Sequence, residues 1–150
     1  MDVSLAISVA AVVEIAALPA LEAAAGRARI AAWHVQDAGL KYTGYRSLTA
    51  LSRGALPGPE NSIGKLVGAP KMQAMSSYLM DLLGASGAIA DEASAAKAGI
   101  IQRAYMGAPG LRIAGGTDEI MANIIAERVL GLPQEPRLDK GSPFNEVPTG

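Results

Sequence analysis

Residues 117–133 read Thr-Asp-Glu-Ile-Met-Ala-Asn-Ile-Ile-Ala-Glu-Arg-Val-Leu-Gly-Leu-Pro, and they contain the clearest helix in the sequence. Thr117 is a good N-cap, and the two acidic residues that follow it suit the positive end of a helix dipole. Gly131 and Pro133 are typical of a helix end. The apolar positions predicted to form the buried face are Ile120, Ile124, Val129 and Leu130, with Ile125 at its edge.

Glycine and proline clusters upstream of this helix divide the chain into four further helical segments, at about residues 3–17, 21–53, 60–83 and 91–106. Pro70 should kink or split the segment at 60–83. Gly107, Pro109 and Gly110 should stop the segment at 91–106. The sequence has no strand-like alternation of any length.

The composition also favours helices. Half of the residues are apolar but only 4% are aromatic, so the core consists mostly of small aliphatic side chains that let helices approach closely. We therefore predict an all-α fold, an up-and-down four-helix bundle with an additional N-terminal helix. The predicted organisation is an apolar N-terminal helix at 1–26, the bundle domain at 27–133 and an extended tail at 134–150.

Charge and residue usage exclude several classes of function. The chain has 13 basic and 14 acidic residues and a net charge of −1, which argues against nucleic-acid binding. With no cysteine and one histidine, we expect no thiolate chemistry and no metal site. Glu14, Pro19 and Glu22 interrupt the apolar stretch at 5–25, which favours a packed helix over a membrane span. We expect a cytoplasmic protein.

The turn before the last helix lies in the motif Arg112-Ile-Ala-Gly-Gly-Thr-Asp-Glu-Ile120, which continues as Asn123-Ile-Ile-Ala-Glu-Arg-Val-Leu-Gly-Leu-Pro133. Further motifs lie at 58–66, 82–87 and 136–144. In this order and spacing, the motifs resemble the C-terminal helical domain of the acyl-CoA dehydrogenase family. The resemblance covers about residues 27–147, whereas residues 1–26 show no match to the first helix of that domain.

The resemblance implies that a helical domain and a β-domain precede this one in the complete enzyme and hold much of its ligand sites. That enzyme removes a proton from the carbon next to a thioester carbonyl and passes a hydride from the following carbon to FAD. The resemblance therefore implies FAD as cofactor and acyl-CoA as substrate. It also implies a homo-oligomer, or a hetero-oligomer with a flavin-domain chain.

Individual site residues follow from the family's motifs. Gly116 matches the residue that contacts substrate, while Thr117 and Glu119 match residues that contact FAD, the latter commonly a glutamine. Two residues, Gly84 and Ala85, match a Gly-Gly pair that approaches the FAD of a neighbouring subunit. The usual catalytic glutamate is replaced by a glycine at position 115, so we assign no catalytic residue.

Two functions remain open at this point. The chain is either the C-terminal domain or subunit of an FAD-dependent acyl-CoA dehydrogenase, incomplete on its own, or a non-catalytic helical assembly module derived from that family. The glycine at position 115 favours the second function. Under the first function, the chain is an enzyme only if missing domains or a partner chain complete it.

Overall fold

The computed structural model describes residues 23–56, 58–89, 96–134, 136, 141 and 143–147. Within these ranges the chain forms helices and no strands, so the predicted all-α fold is confirmed. The helices are α1 (Ala24–Ser52), α2 (Asn61–Leu83), α3 (Ala96–Ile113) and α4 (Asp118–Ile124). Shorter elements are a 3-10 turn after α2 (Gly84–Ala88), a π-helical turn after α4 (Ile125–Val129) and a 3-10 turn in the tail (Phe144–Glu146).

Polar contacts show that α1 and α2 run antiparallel. Near the loop that joins them, Ser47 Oγ donates a hydrogen bond to Asn61 Oδ1 at 2.6 Å. Further from the loop, Lys71 forms an ion pair with Asp37. The contacts therefore move toward the start of α1 as they move toward the end of α2, as expected for two helices joined by a short connection.

The core lies where α1, α2 and α3 meet, and α2 contacts each of the other three helices. Met75 and Leu79 of α2 and Ile101 of α3 have no exposed surface. Trp33 of α1 packs edge-on against the ring of Tyr78, with ring centroids 5.6 Å apart. Trp33, Met75 and Leu79 recur with other apolar residues at helical spacing, as expected for the inward face of a helix. The spacing is only partly decisive, because Leu48, Leu51 and Leu82 recur in the same way and are 61%, 47% and 41% exposed.

Prolines do not end either helix in which they occur. α2 is continuous through Pro70, so the predicted split is absent. α3 runs through the glycine–proline cluster at 107–110 and ends at Ile113, so the predicted stop there is wrong. Ala108 is fully buried while Pro109 is exposed. Burial of the inner face therefore outweighs the backbone hydrogen bond that a proline on the outer face removes.

The buried face of α4 also differs from its prediction. Ile120, Val129 and Leu130 are 49%, 40% and 66% exposed, and Met121 is the buried residue instead. A shift by one position rotates the inner face by about 100° around the helix. Val129 also lies about 180° from Ile120 around a regular helix, so the predicted residues do not share one face. The π-helical turn that begins at Ile125 changes the register of the following side chains further.

The predicted helix at 3–17 lies outside the described residues. The predicted extended tail at 134–150 is described only in part. Among the helices that the structure describes, none combines the length and the apolar character needed to cross a membrane.

Candidate functional site

A short turn at residues 115–117 joins α3 to α4. Its two glycines have positive φ angles, 71° at Gly115 and 109° at Gly116, a conformation that side chains disfavour. A Cβ atom on Gly116 would lie 2.5 Å from Met121 Cε, whereas one on Gly115 would meet nothing within 4 Å. Gly116 therefore lies tightly against α4, and Gly115 borders open space.

Thr117 caps α4 as predicted, because its Oγ1 accepts a hydrogen bond from the Ile120 backbone N–H at 3.3 Å. A hydrogen bond from the Thr117 hydroxyl lowers the pKa of Glu119 below its ordinary value of 4.5, with further lowering by the Glu119 backbone N–H and the Arg112 charge. Together these effects exceed a desolvation effect that raises the pKa. Glu119 is therefore ionised at neutral pH and places a negative charge at the start of α4.

Replacing Thr117 by alanine should lower the free energy of unfolding by about 1 kcal/mol, because the Ile120 N–H loses its acceptor. Urea unfolding of the purified chain measures this loss. Thr117→Ser keeps the hydroxyl and serves as the control. Equal stability of the alanine and serine variants would contradict the capping role.

Removal of the Thr117 hydroxyl should also change the response of the chain to acid. A lowered carboxyl pKa stabilises the fold above the unfolded-state pKa, and this stabilisation is lost as the pH falls through the folded-state pKa. Without the hydroxyl, the pKa of Glu119 should rise toward 4.5. Thr117→Ala should therefore lose less stability than the parent chain on acidification below pH 4.5.

A cleft of about 290 Å³ lies beside the turn, where α2, α3 and α4 approach one another. This volume is just below the range of roughly 300–1,000 Å³ found for small-molecule sites. The cleft therefore fits the edge of a ligand rather than a whole cofactor. The lining residues are Gln73, Pro109, Arg112, Ile113, Thr117, Asp118 and Glu119.

Arg112 joins the three helices around this cleft. Its Nε donates a hydrogen bond to Asp118 Oδ2 at 2.6 Å, and its Nη1 donates to Gln73 Oε1 at 3.0 Å. Arg112 and Asp118 belong to the motif quoted above, but nothing in the sequence indicates Gln73. Gln73 is 39 residues from Arg112 along the chain, so only the folded structure reveals the contact.

The second pair of predicted residues lies at the far end of α2. Gly84 and Ala85 begin the 3-10 turn that follows this helix, and both are exposed. From Gln73 to Gly84 the helix rises by about 16 Å. The structure thus brings the predicted residues of the 115–119 region together, and it leaves Gly84 and Ala85 apart from them.

These features define a helical bundle domain with an open cleft at a glycine turn. Residues 3–130 match the family model described as "Acyl-CoA dehydrogenase, C-terminal domain". The chain therefore belongs to the acyl-CoA dehydrogenase family and carries its C-terminal helical domain. The match begins at residue 3, so it includes most of the segment 1–26, where the motifs alone gave no counterpart.

Two curated relatives come from Mycobacterium tuberculosis (strain ATCC 25618 / H37Rv). Acyl-CoA dehydrogenase FadE34 is 35% identical over 78 residues, which are 52% of this chain and 10% of FadE34. Acyl-CoA dehydrogenase IpdE1 is 32% identical over 100 residues, which are 63% of this chain and 25% of IpdE1. The chain thus matches only a tenth and a quarter of the length of these relatives.

Two solved structures share the fold. The Tcur3481-Tcur3483 steroid ACAD superposes with a TM-score of 0.68 at 22% identity, over 84% of this chain and 33% of that one. The ChsE4-ChsE5 complex from Mycobacterium tuberculosis gives a TM-score of 0.64 at 21% identity, over 87% of this chain and 37% of that one. These likenesses confirm the predicted helical bundle.

Proposed function

We propose that this chain contributes the C-terminal helical part of an FAD-dependent acyl-CoA dehydrogenase, whose flavin and substrate sites other domains or a partner chain complete. The observation that carries the proposal is the turn at 115–117. Its glycines expose the backbone next to a cleft, and Thr117 and Glu119 follow at once. Family membership supports this assignment, because acyl-CoA dehydrogenases depend on FAD.

The residues around the turn suit one edge of a flavin. Gly115 borders open space, so a flat ring can approach the backbone there without meeting a side chain. When bound, FAD would accept a hydride from the acyl chain. In this arrangement the Gly116 backbone faces the acyl thioester, and Thr117 and Glu119 face the flavin. Glu119 differs from the usual glutamine because it is an anion at neutral pH.

This chain supplies no side chain at the position of the usual catalytic base, since Gly115 occupies it. The carboxylate that removes the proton therefore lies outside the turn at 115–117. The chain's own contribution is to bind and orient. Its backbone at Gly116 positions the thioester, and the bundle excludes water from that side of the reacting carbons.

The distance between the two groups of predicted residues supports an assembly of more than one subunit. Gly84 lies about 16 Å along α2 from Gln73, which borders the cleft at the turn. One flavin ring system beside Thr117 does not also fit against Gly84 and Ala85. We therefore assign Gly84 and Ala85 to the FAD site of a neighbouring subunit. The solved relatives whose names pair two different proteins favour a hetero-oligomer over a homo-oligomer.

Purification of the chain alone and with a flavin-domain acyl-CoA dehydrogenase chain tests the proposal. Each sample is mixed with FAD and passed over a sizing column, and flavin absorbance is measured across the protein peak. We expect the chain alone to elute without flavin and the mixture to elute as a yellow complex. Turnover is then assayed with fatty acyl-CoA and with steroid side-chain acyl-CoA thioesters, because one solved relative is a steroid ACAD. We expect the substrate to be an acyl-CoA and the protein to be cytoplasmic.

A non-catalytic assembly module is the second candidate, and the glycine at position 115 favours it. Under this function the complex still forms, but its turnover does not depend on the turn of this chain. Substituting Gly116 by alanine in the assembled complex separates the two functions. Unchanged turnover with an intact complex supports the assembly module, and loss of turnover in a complex that is still intact supports the flavin site.

Glu119→Gln should tighten FAD binding to the assembled enzyme by about two- to fivefold, the range expected for one exposed charge contact. The change removes a negative charge that would face the anionic cofactor, while the amide can still accept the hydrogen bond from Thr117. Fluorescence titration with FAD measures the dissociation constant. Glu127→Gln is the matched control, because Glu127 lies in the π-helical turn and pairs with Gln134. Weaker binding in Glu119→Gln alone would contradict the assigned contact.

A further inference from the structure

We propose that Arg112 is a positioning residue that holds the turn at 115–117 by tying α4 to α2. Its importance for flavin binding rests on the function proposed above. Arg112 lies in the last turn of α3, just before the glycine turn. The inference comes from the contacts of its guanidinium group.

The guanidinium group of Arg112 contacts two other helices at once. The Nε of Arg112 bonds Asp118 Oδ2 at 2.6 Å, its Nη2 forms an ion pair with the same oxygen, and its Nη1 bonds Gln73 Oε1 at 3.0 Å. Asp118 is the first residue of α4, and Gln73 lies in the middle of α2. The guanidinium of Arg112 on α3 therefore fixes where α4 begins relative to the central helix of the bundle.

Asp118 depends on this contact. Its side chain is only 16% exposed, and its Oδ1 is buried without a hydrogen-bond partner among the described residues. A poorly hydrated carboxylate is destabilised unless a cation or several donors compensate its charge. Arg112 is the ion-pair partner that the structure gives to Asp118. If Arg112 were removed, Asp118 would turn toward water and carry the start of α4 with it.

The turn itself has little that holds it in place. Gly115 and Gly116 have no side chains, and glycine has more backbone freedom than any other residue. The Thr117 hydroxyl fixes the helix side of the turn through Ile120, but within the described part of the chain it forms no hydrogen bond to α2 or α3. Arg112 therefore provides a polar link between the turn and the body of the bundle, in addition to the burial of Met121 of α4.

Lysine is a poor substitute for this arginine. The guanidinium has five donors in a rigid plane, whereas an ammonium group is a single compact charge. A lysine at position 112 reaches Asp118 or Gln73 but does not hold both in the same fixed geometry. Arg112→Lys therefore tests whether one ion pair is enough or whether the contacts to both helices are needed.

Backbone amide exchange of the full chain tests the inference. In Arg112→Gln, exchange at residues 115–120 should accelerate on the order of tenfold, as expected for loss of a charged hydrogen bond that limits local opening. Exchange at residues 84–88 should not change. Arg112→Lys should fall between the parent chain and Arg112→Gln. Arg103→Gln is the matched control, because Arg103 is an exposed arginine of the same helix.

Unchanged exchange at the turn in Arg112→Gln would overturn the proposal, as would an equal acceleration across the whole chain. If Arg112→Gln does not fold, Gln73→Ala provides the test, because it removes only the bond to α2 and should accelerate exchange at the same residues to a smaller extent. In the assembled enzyme, FAD affinity should be weakest in Arg112→Gln and intermediate in Arg112→Lys. Faster exchange with unchanged FAD affinity would support the positioning role and overturn the flavin function of the turn.

Discussion

Replacing Leu79 by alanine should lower the free energy of unfolding by about 2 to 5 kcal/mol. Leu79 has no exposed surface and lies in the cluster where α1, α2 and α3 meet. Alanine would leave a cavity beside Met75 and Ile101, and the surrounding helices close such a cavity only in part. Because small domains are stable by only about 5–15 kcal/mol, this loss is a large fraction of the stability of the chain.

The single tryptophan, Trp33, lies in the same cluster, so its fluorescence during urea unfolding reports directly on this core. Leu82→Ala is the matched control, since Leu82 belongs to the same helix and is 41% exposed. We expect the control to change the free energy of unfolding by about 0.5 kcal/mol. Equal losses in the two variants would show that the buried cluster is not the centre of the fold.

The helical core is the part of the fold that sequence predicts best. The inward residues of α1 and α2, among them Trp33, Met75 and Leu79, recur at helical spacing, and such periodicity depends only on the helix itself. The end of α3 was not predictable in this way. Pro109 and its neighbouring glycines disfavour a helix locally, but Ala108 is buried against the rest of the bundle, and that burial has no signal in the local sequence.

In the candidate site, too, local sequence predicts some contacts and misses those that depend on packing. Gly116, Thr117 and Glu119 are close in the chain, so a local motif is enough to bring them together. Gly84 belongs to the same family pattern, but the structure separates it from the turn. The bridge between Arg112 and Gln73 depends on the packing of α3 against α2 over 39 residues of sequence, and no periodicity predicts it.

The register of α4 shows why local patterns fail at its end. At about 100° per residue, a regular α-helix places Ile120 and Ile124 on one face but Val129 about 180° from Ile120. The predicted buried residues therefore do not share one face, and the π-helical turn from Ile125 changes the number of residues per turn as well. Such turns are frequent at functional sites. Val129 and Leu130 are exposed.

Gly116→Ala should be the most harmful single substitution in the turn, with a loss of about 1 to 3 kcal/mol in the free energy of unfolding. The φ angle of Gly116 is 109°, well outside the left-handed helical region that other residues occasionally adopt. The new methyl group would also lie 2.5 Å from Met121 Cε, and Met121 is itself buried. Urea unfolding measures the loss, and FAD binding to the assembled enzyme should weaken along with it.

Comparison with Gly115→Ala separates backbone strain from the contact with Met121. Its φ of 71° lies close to the left-handed helical region, and a Cβ there meets nothing within 4 Å, so only backbone strain of about 1 kcal/mol is expected. If both variants lose the same stability, the contact with Met121 does not matter, because the methionine methyl simply moves aside. If Gly116→Ala loses more, the turn is held against α4 by close packing. In that case the two glycines have different roles: Gly116 has to clear α4, and Gly115 leaves the space in front of it open.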